Sequence, residues 1–552
     1  MIRLLSQALF VFCCVALLCG VADGATLYVP GGGYATIQAA IDRAVSGDTI
    51  LVAEGTYRGP GNRDLDFRGK TLVLRSEKGP GHTIIDCEGR ARGFYFHNWE
   101  KKASVVSGFT ITRGYARSEG GGIYCYSSSP SIINCTITDC AAGSKGGGVY
   151  CTDSSSPVFF DCTIKDNASG QGGGLYASLS APSLIRCTLS GNRVAGSGGG
   201  IYAFVSPVAL DRCTVSANRA REAGGGVYSN ASDSTMSRCT ISDNRAGNQG
   251  GGIYCLSASP ALTNCVISRN RAGLGAGIFN AASSAPELLH CTFNSNTASD
   301  QGGAVYSAGS SPVVINSILW GNSPDEIYVE GFASPRVTHS DIKGGYPGEG
   351  NIDADPMFLR KGDYRLQASS PCLDRGDNNA PRLPLTDKKG RARIINAMPD
   401  MGAFELTTPY TLSTTRKRLI RHPDGLSIPV VKGAVKAHLA YGRIEGRNLT
   451  FAGWAADAKN GRLVEAVVIF LNGRFFYAGK THVNRPDVAK YLKNPDLTKT
   501  GFKFELLSSF PEDNPSPVIR VFAVSKDGKA SEFRYPKGYK WRRREGEIPK
   551  DK

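Results

Sequence analysis

The stretch GGGIYCYSSSPSIINCTITDC, residues 120–140, holds three adjacent glycines, three cysteines and a run of serines. Taken alone, its glycine-flanked cysteines suggest a metal site or a disulfide. It does not occur alone. The first phrase returns as GGGVYC at 146, GGGLYA at 172, GGGIYA at 198, GGGVYS at 224, GGGIYC at 250, GAGIFN at 275 and GGAVYS at 302. Its aromatic falls at Tyr124, Tyr150, Tyr176, Tyr202, Tyr228, Tyr254, Phe279 and Tyr306, a period of about 26 residues. A second phrase keeps step, with Cys135, Cys162, Cys187, Cys213, Cys239, Cys265 and Cys291, and Ser317 in the eighth place. Five residues after each comes Asn167, Asn192, Asn218, Asn244, Asn270, Asn296 or Asn322, with Cys140 as the first-coil exception.

One period contains short β-prone runs cut by Gly, Ser, Pro and Asn, with no room for a helix. Such runs bury nothing alone, but stacked coil on coil they form parallel sheets around one interior. Three short strands per turn make a parallel β-helix. The apolar series Ile123, Val149, Leu175, Ile201, Val227, Ile253, Ile278 and Val305 marks one inward row, and Ile137 to Leu319 another. Alternation turns the repeat cysteines inward as well. A metal site needs ligands that converge, and these sulfurs form a line about 4.8 Å apart. They read as small buried apolar side chains, with disulfides between stacked pairs as the alternative. The asparagines sit at a turn, where stacked amides can bond from coil to coil.

The repeated Ser-Pro-x-Ile-x-Asn-Cys-Thr-Ile-x-x-Asn, followed by Gly-Gly-Gly-Ile-Tyr, resembles secreted right-handed parallel β-helix proteins of the pectin-lyase-like superfamily. The Gly-Gly-x-Ile phrase is also similar to the repeats of polymorphic outer-membrane proteins. Residues 26–57 resemble the usual N-terminal cap, and Ile37, Ala40 and Ile41 stand at helical spacing on a helix around Thr36 to Ala44. GNIDADPMFL at 350, DYRLQASSPCLDRGD at 363 and PDMGAFE at 399 resemble closing coils. The resemblance implies a fold more than an activity, since the superfamily includes lyases, hydrolases, epimerases and adhesins.

The domain plan follows. Residues 1–24 read as a signal peptide, with Arg3, an apolar run, and Ala22 and Gly24 at the small-residue positions, so export to the outside or cell surface is expected. Residues 25–115 form the cap and irregular coils, 116–330 the regular repeats, and 331–405 the closing coils. Residues 406–440 read as a linker. Residues 441–535 alternate strands and turns in the texture of an immunoglobulin-like β-sandwich, with hairpin turns at Asn472-Gly473 and Asp527-Gly528. Residues 536–552 are a basic tail. The expected class is all-β: a right-handed parallel β-helix solenoid followed by that sandwich. No later segment is apolar enough to cross a bilayer.

The formal charge is +16, and residues 406–552 hold 28 Lys and Arg against 14 Asp and Glu, so +14 of it lies there. In an exported protein this favours anionic polysaccharide or another surface polymer as partner. No nucleic-acid module is legible.

Stacking turns each outward position into a row. Arg193, Arg219, Arg245 and Arg271 follow the asparagines on four successive coils. Like charges so close repel unless anions intervene. A second row, just before the cysteines, holds Asp161, Arg186, Arg212, Arg238, Asn264 and His290. Together the two rows are expected to grip an acidic chain, unless solvent and neighbours such as Glu222 relieve them. The tyrosines, notably Tyr176, Tyr202, Tyr228 and Tyr254, should face outward as a platform for sugar rings, or else stack on one another. No cofactor is expected and no metal ligand is assigned; Ca²⁺ enters only with a lyase, which needs clustered carboxylates. Asp139 and Asp166 share a repeat position, but Gly191 and Ala217 interrupt it before Asp243 resumes it. The irregular region with His339, Asp341, Asp353 and Asp355 is the other place for activity, or a closing cap. The leading expectation is a non-catalytic binder of anionic polymer. A uronate lyase or epimerase and a structural or adhesive surface protein are the alternatives.

Overall fold

The computed structural model describes residues 24–406, apart from 368–369 and 396–397. Beyond 406 it describes 411–413, 419–421, 427–429, 435–445, 448–457, 462–464, 466–471, 474–479, 481, 483, 485–507, 519–525 and 530–532. The signal-peptide segment before residue 24 and the basic tail 536–552 lie outside the described residues.

The regular coils carry four strands each, not the three expected. In one coil these are Ile201–Phe204, Ala209–Asp211, Thr214–Ser216 and Arg219–Ala220. They enter sheets of 10, 13, 12 and 8 strands, each strand pairing in parallel with its equivalents one coil away. The fourth strand is two residues long, too short to announce itself by alternation. The result is an all-β right-handed parallel solenoid of about 12 turns.

Each corner turns on one residue in the left-handed region. In this coil they are Val205 (φ 48°), Arg212 (φ 55°), Ala217 (φ 55°) and Gly224 (φ 63°). The triple glycine has two separate causes. Gly198 has φ 73°, and a Cβ there would come within 2.7 Å of the Tyr202 Cβ. Gly200 faces the next coil so closely that a Cβ would lie 2.6 Å from the Gly226 carbonyl oxygen. The opening phrase is therefore a turn plus a close coil-to-coil approach.

The interior is as the repeat dictates. Ile137, Ile164, Leu189, Val215, Ile241, Ile267, Phe293 and Leu319 are fully buried, as are the cysteines of the parallel row. All thirteen cysteines among the described residues are buried. The thiols of the repeat row and of Cys140 donate to backbone carbonyls, as from Cys213 to Leu184 at 3.3 Å, and burial pushes Cys135 up to about 11 and Cys140 to about 12.

The asparagines form one continuous ladder. The Oδ1 of Asn218 accepts from both the backbone N (3.0 Å) and the Nδ2 (2.9 Å) of Asn192, while its own Nδ2 donates to Leu189 O and to Asn244 Oδ1. The pattern runs from Cys140 to Asn322 and ends on Glu326, whose carboxylate accepts from the Asn322 backbone N (3.1 Å) and Nδ2 (2.5 Å). Desolvation pushes Glu326 up to about 7. Every amide in this column points the same way, so the terminal donors meet a carboxylate.

At the N-terminal end the helix Ile37–Arg43, capped by Thr36, buries Ile37, Ala40 and Ile41 against the solenoid core. Segments 380–389 and 401–404 return to the solenoid: Lys388 Nζ donates to Arg238 O and Cys239 O, and Ala403 N to Thr292 Oγ1.

A second compact unit comprises Met357–Asn379, Gly390–Asp400 and Glu405 onward. The segment read as a linker, 406–440, instead carries three short antiparallel strands, Thr411–Ser413, Leu419–Arg421 and Ser427–Pro429, and the start of the ten-residue strand Lys436–Glu445. Two antiparallel four-stranded sheets follow, with the helix Pro486–Leu492 between their strands in sequence. Leu471 pairs with Arg474 in antiparallel register, while the expected turns Asn472-Gly473 and Asp527-Gly528 lie outside the described residues. Among the described residues, no helix is long and apolar enough to cross a membrane.

Candidate functional site

The eight-stranded sheet places Arg193, Arg219, Arg245 and Arg271 in strict register, each the direct neighbour of the next. Alternation turns the following Val194, Ala220, Ala246 and Ala272 inward and the arginines outward, where all four are exposed. Among the described residues, no carboxylate lies within 4.0 Å of any of the four guanidinium groups. Arg221, two positions after Arg219, is exposed and unpaired as well. Glu222 lends its carboxylate to the Ser197 hydroxyl at 3.3 Å instead.

The second arginine row differs. Arg186 makes a two-pronged ion pair with Asp161 on the preceding coil, at 2.7 and 2.5 Å, and lies over the Phe160 ring. Arg212 and Arg238 share Asp211, at 3.2 Å and 2.6 Å. Asn264 Nδ2 donates to Thr386 O, and His290 is fully buried with its Nε2 3.1 Å from Asn316 Nδ2. All six residues of this row have positive φ, from 51° to 56°. This row therefore differs from the first: it sits at a corner of left-handed backbone, and each of its arginines already has an aspartate partner. The same device recurs at Asp86, which the guanidinium of Arg113, with help from that of Arg58, holds down at about 2.

The tyrosines do line up outward from their strands, but their faces are taken. Ring centroids are 4.7 Å apart for Tyr176–Tyr202, 4.6 Å for Tyr202–Tyr228 and 4.8 Å for Tyr228–Tyr254, within 15° of parallel. Tyr176 is 4% exposed and Tyr202 8%. Burial raises the phenols of all four, and takes Tyr124 up to about 12. The stacked column offers a sugar ring edges, not open faces.

The carboxylates singled out in the sequence serve local structure. Asp139 accepts from Thr138 Oγ1 at 2.9 Å, Asp166 sits 3.7 Å from Lys165 Nζ, and Asp243 is held by both prongs of Arg269 at 2.8 Å. Asp341 is buried and accepts from Ala354 N, while Asp353 accepts from Gly344 N and the His339 backbone N donates to Glu349 O. That region is a cap tied by its acidic side chains. Among the described residues, no group of three His, Cys, Asp or Glu is placed to hold a metal ion.

No curated protein matches the chain. Among solved structures it is similar to a pectate lyase, Pel9A, at 15% identity over 70% of this chain and 97% of that one, with TM-score 0.39. It is also similar to an alginate lyase from Paenibacillus sp. str. FPU-7, at 14% identity over 56% and 99% of the two chains with TM-score 0.31. A PL6 family alginate lyase, AlyGC, aligns at 12% identity over 63% and 58%, with TM-score 0.32. The family model for a right-handed beta helix region matches residues 75–203 and 169–319, which are the coils just described. Over those residues the chain is a right-handed parallel β-helix of repeated coils.

Proposed function

We propose that this protein is an exported or cell-surface binder of anionic polymer, an acidic polysaccharide above all, held along the row Arg193, Arg219, Arg245 and Arg271. One observation carries the reading: four exposed guanidinium groups are stacked on successive coils with no carboxylate partner among the described residues, on a scaffold that pairs its other arginine row with aspartates. Four cations held about 4.8 Å apart raise the local potential, and a polymer with regularly spaced anions relieves it by charge-assisted hydrogen bonds. The binder is proposed to act without catalysis. The two antiparallel sheets of the second unit are proposed to form an immunoglobulin-like module, whose basic sequence adds to the attraction.

The test exposes residues 25–552 to immobilised pectate, alginate and hyaluronan with Ca²⁺, recording both retention and ultraviolet absorbance from unsaturated uronate. Retention with flat absorbance is the expected result. Rising absorbance would make the protein a lyase instead, and no retention on any polymer would remove the binding reading.

A further inference from the structure

The arginine row is uniform, but the ridge beside it is not. Between the twelve-stranded sheet and the arginines runs a single row of corner residues: Asp139, Asp166, Gly191, Ala217, Asp243 and Arg269, all with positive φ between 55° and 67°. Charged side chains occupy every one of these six places except Gly191 and Ala217; the row goes on to Ser295 and Gly321, on coils whose arginine position holds Thr297 and Ser323. On the far side of the ridge, the outward position that holds Lys165 on one coil holds Ser190, Ser216, Ser242 and Ser268 on the next four, the last two buried. Ser190 and Ser216 differ from them. Both serines are half-buried, and neither hydroxyl has a hydrogen-bond partner among the described residues.

Resting on the binding reading above, we infer that the polymer's specificity is set by a two-coil window formed by Ser190, Gly191 and Arg193 and by Ser216, Ala217 and Arg219. Among the described residues, only there do half-exposed, unbonded hydroxyls and unpaired guanidinium groups adjoin across a low, uncharged ridge. The window suits a chain that alternates hydroxyl and anionic groups, as an acidic glycan does: the anion meets an arginine and a ring hydroxyl meets a serine. Asp166 bounds it on one side, loosely matched by Lys165, and the Asp243–Arg269 pair bounds it on the other. Beyond that pair, Arg245 and Arg271 extend the electrostatic track, but the serines at the matching positions, Ser242 and Ser268, are buried and offer no accessible hydroxyl. Gly191 and Ala217 thus act by what they leave out, and are specificity-determining rather than binding residues.

The row itself supplies the test, since it already tolerates aspartate at φ 55° and 59°. A Cβ at Gly191 would run into the free end of the Asp166 side chain, which can swing away. The double variant Gly191→Asp/Ala217→Asp puts carboxylates beside Arg193 and Arg219. The control Gly191→Ser/Ala217→Ser adds similar bulk without charge. Affinity for polygalacturonate is measured for each, with thermal unfolding to confirm the fold. The aspartate pair should weaken binding by about tenfold or more, the loss of one to two charge-assisted contacts, while the serine pair keeps it within about twofold of the wild type. Equal binding by the aspartate pair and the wild type overturns the window and leaves the arginine reading standing. Equal losses in both pairs would show that bulk, not charge, matters, and would also overturn it. If the wild type itself does not bind, the proposed function fails and the window with it.

Discussion

Two arginine rows lie on the same coils, one before the cysteines and one after the asparagines, yet they have opposite fates. Arg186, Arg212 and Arg238 are each met by an aspartate of their own or the preceding coil. Arg193, Arg219, Arg245 and Arg271 are met by none among the described residues. In a solenoid every outward position is multiplied, so a row of like charge is a structural problem unless the neighbouring row answers it. The first row is answered from inside and belongs to the scaffold. The second has no answer among the described residues, and the proposed polymer would supply one.

The comparison can be broken or sharpened by substitution. The largest effect belongs to the frame that carries both rows. Asn218→Ala removes an interior amide that bonds both neighbouring coils, leaving buried donors and acceptors unmet, and should cost about 3 kcal/mol or more in urea unfolding. Denaturation unchanged by that variant would show that the ladder is not what holds the rows in register.

Close behind comes the ladder's terminus. Glu326 has its folded-state pKa raised from 4.5 to about 7. Its contribution to stability is therefore fully present below pH 4.5 and is lost as pH rises through about 7, amounting to roughly 3 kcal/mol. Glu326→Gln should flatten that part of the stability–pH curve. A wild-type curve without a fall between pH 5 and 8 would count against a buried, desolvated terminus.

Smaller again is the paired row. Asp211→Ala strips two arginines of their partner, one of them only 23% exposed, and should cost about 2 kcal/mol while leaving polymer binding intact. Smallest in stability is the unpaired row: Arg219→Gln should change unfolding by less than about 0.5 kcal/mol. Destabilisation by Arg219→Gln comparable to that of Asp211→Ala would erase the distinction between the rows.

Much of this was legible in the sequence because the repeat turns one position into eight. The inward aliphatics, the buried cysteines, the asparagine ladder and the helix at Ile37–Arg43 all follow from period and alternation. What escaped depends on register between coils. The strand Arg193–Val194 is too short to show alternation, so the fourth sheet went unseen. That Asp211 serves both Arg212 and Arg238 requires knowing which side chains meet across the corner. Alternation turns the tyrosines outward, but only ring geometry shows that their faces are spent on the next ring. The return of 380–389 to the solenoid, with Lys388 on the Arg238 and Cys239 carbonyls, joins residues about 150 apart and leaves no local signature.

The most direct test of the central claim compares two multiple variants for retention on pectate and alginate across a salt titration. One replaces Arg193, Arg219, Arg245 and Arg271 with glutamine, and the other replaces Arg186, Arg212 and Arg238. The account predicts that the first loses retention and its salt dependence while keeping its fold, and that the second retains the polymer at wild-type strength despite a lower melting temperature. Equal retention by the first variant and the wild type would contradict it.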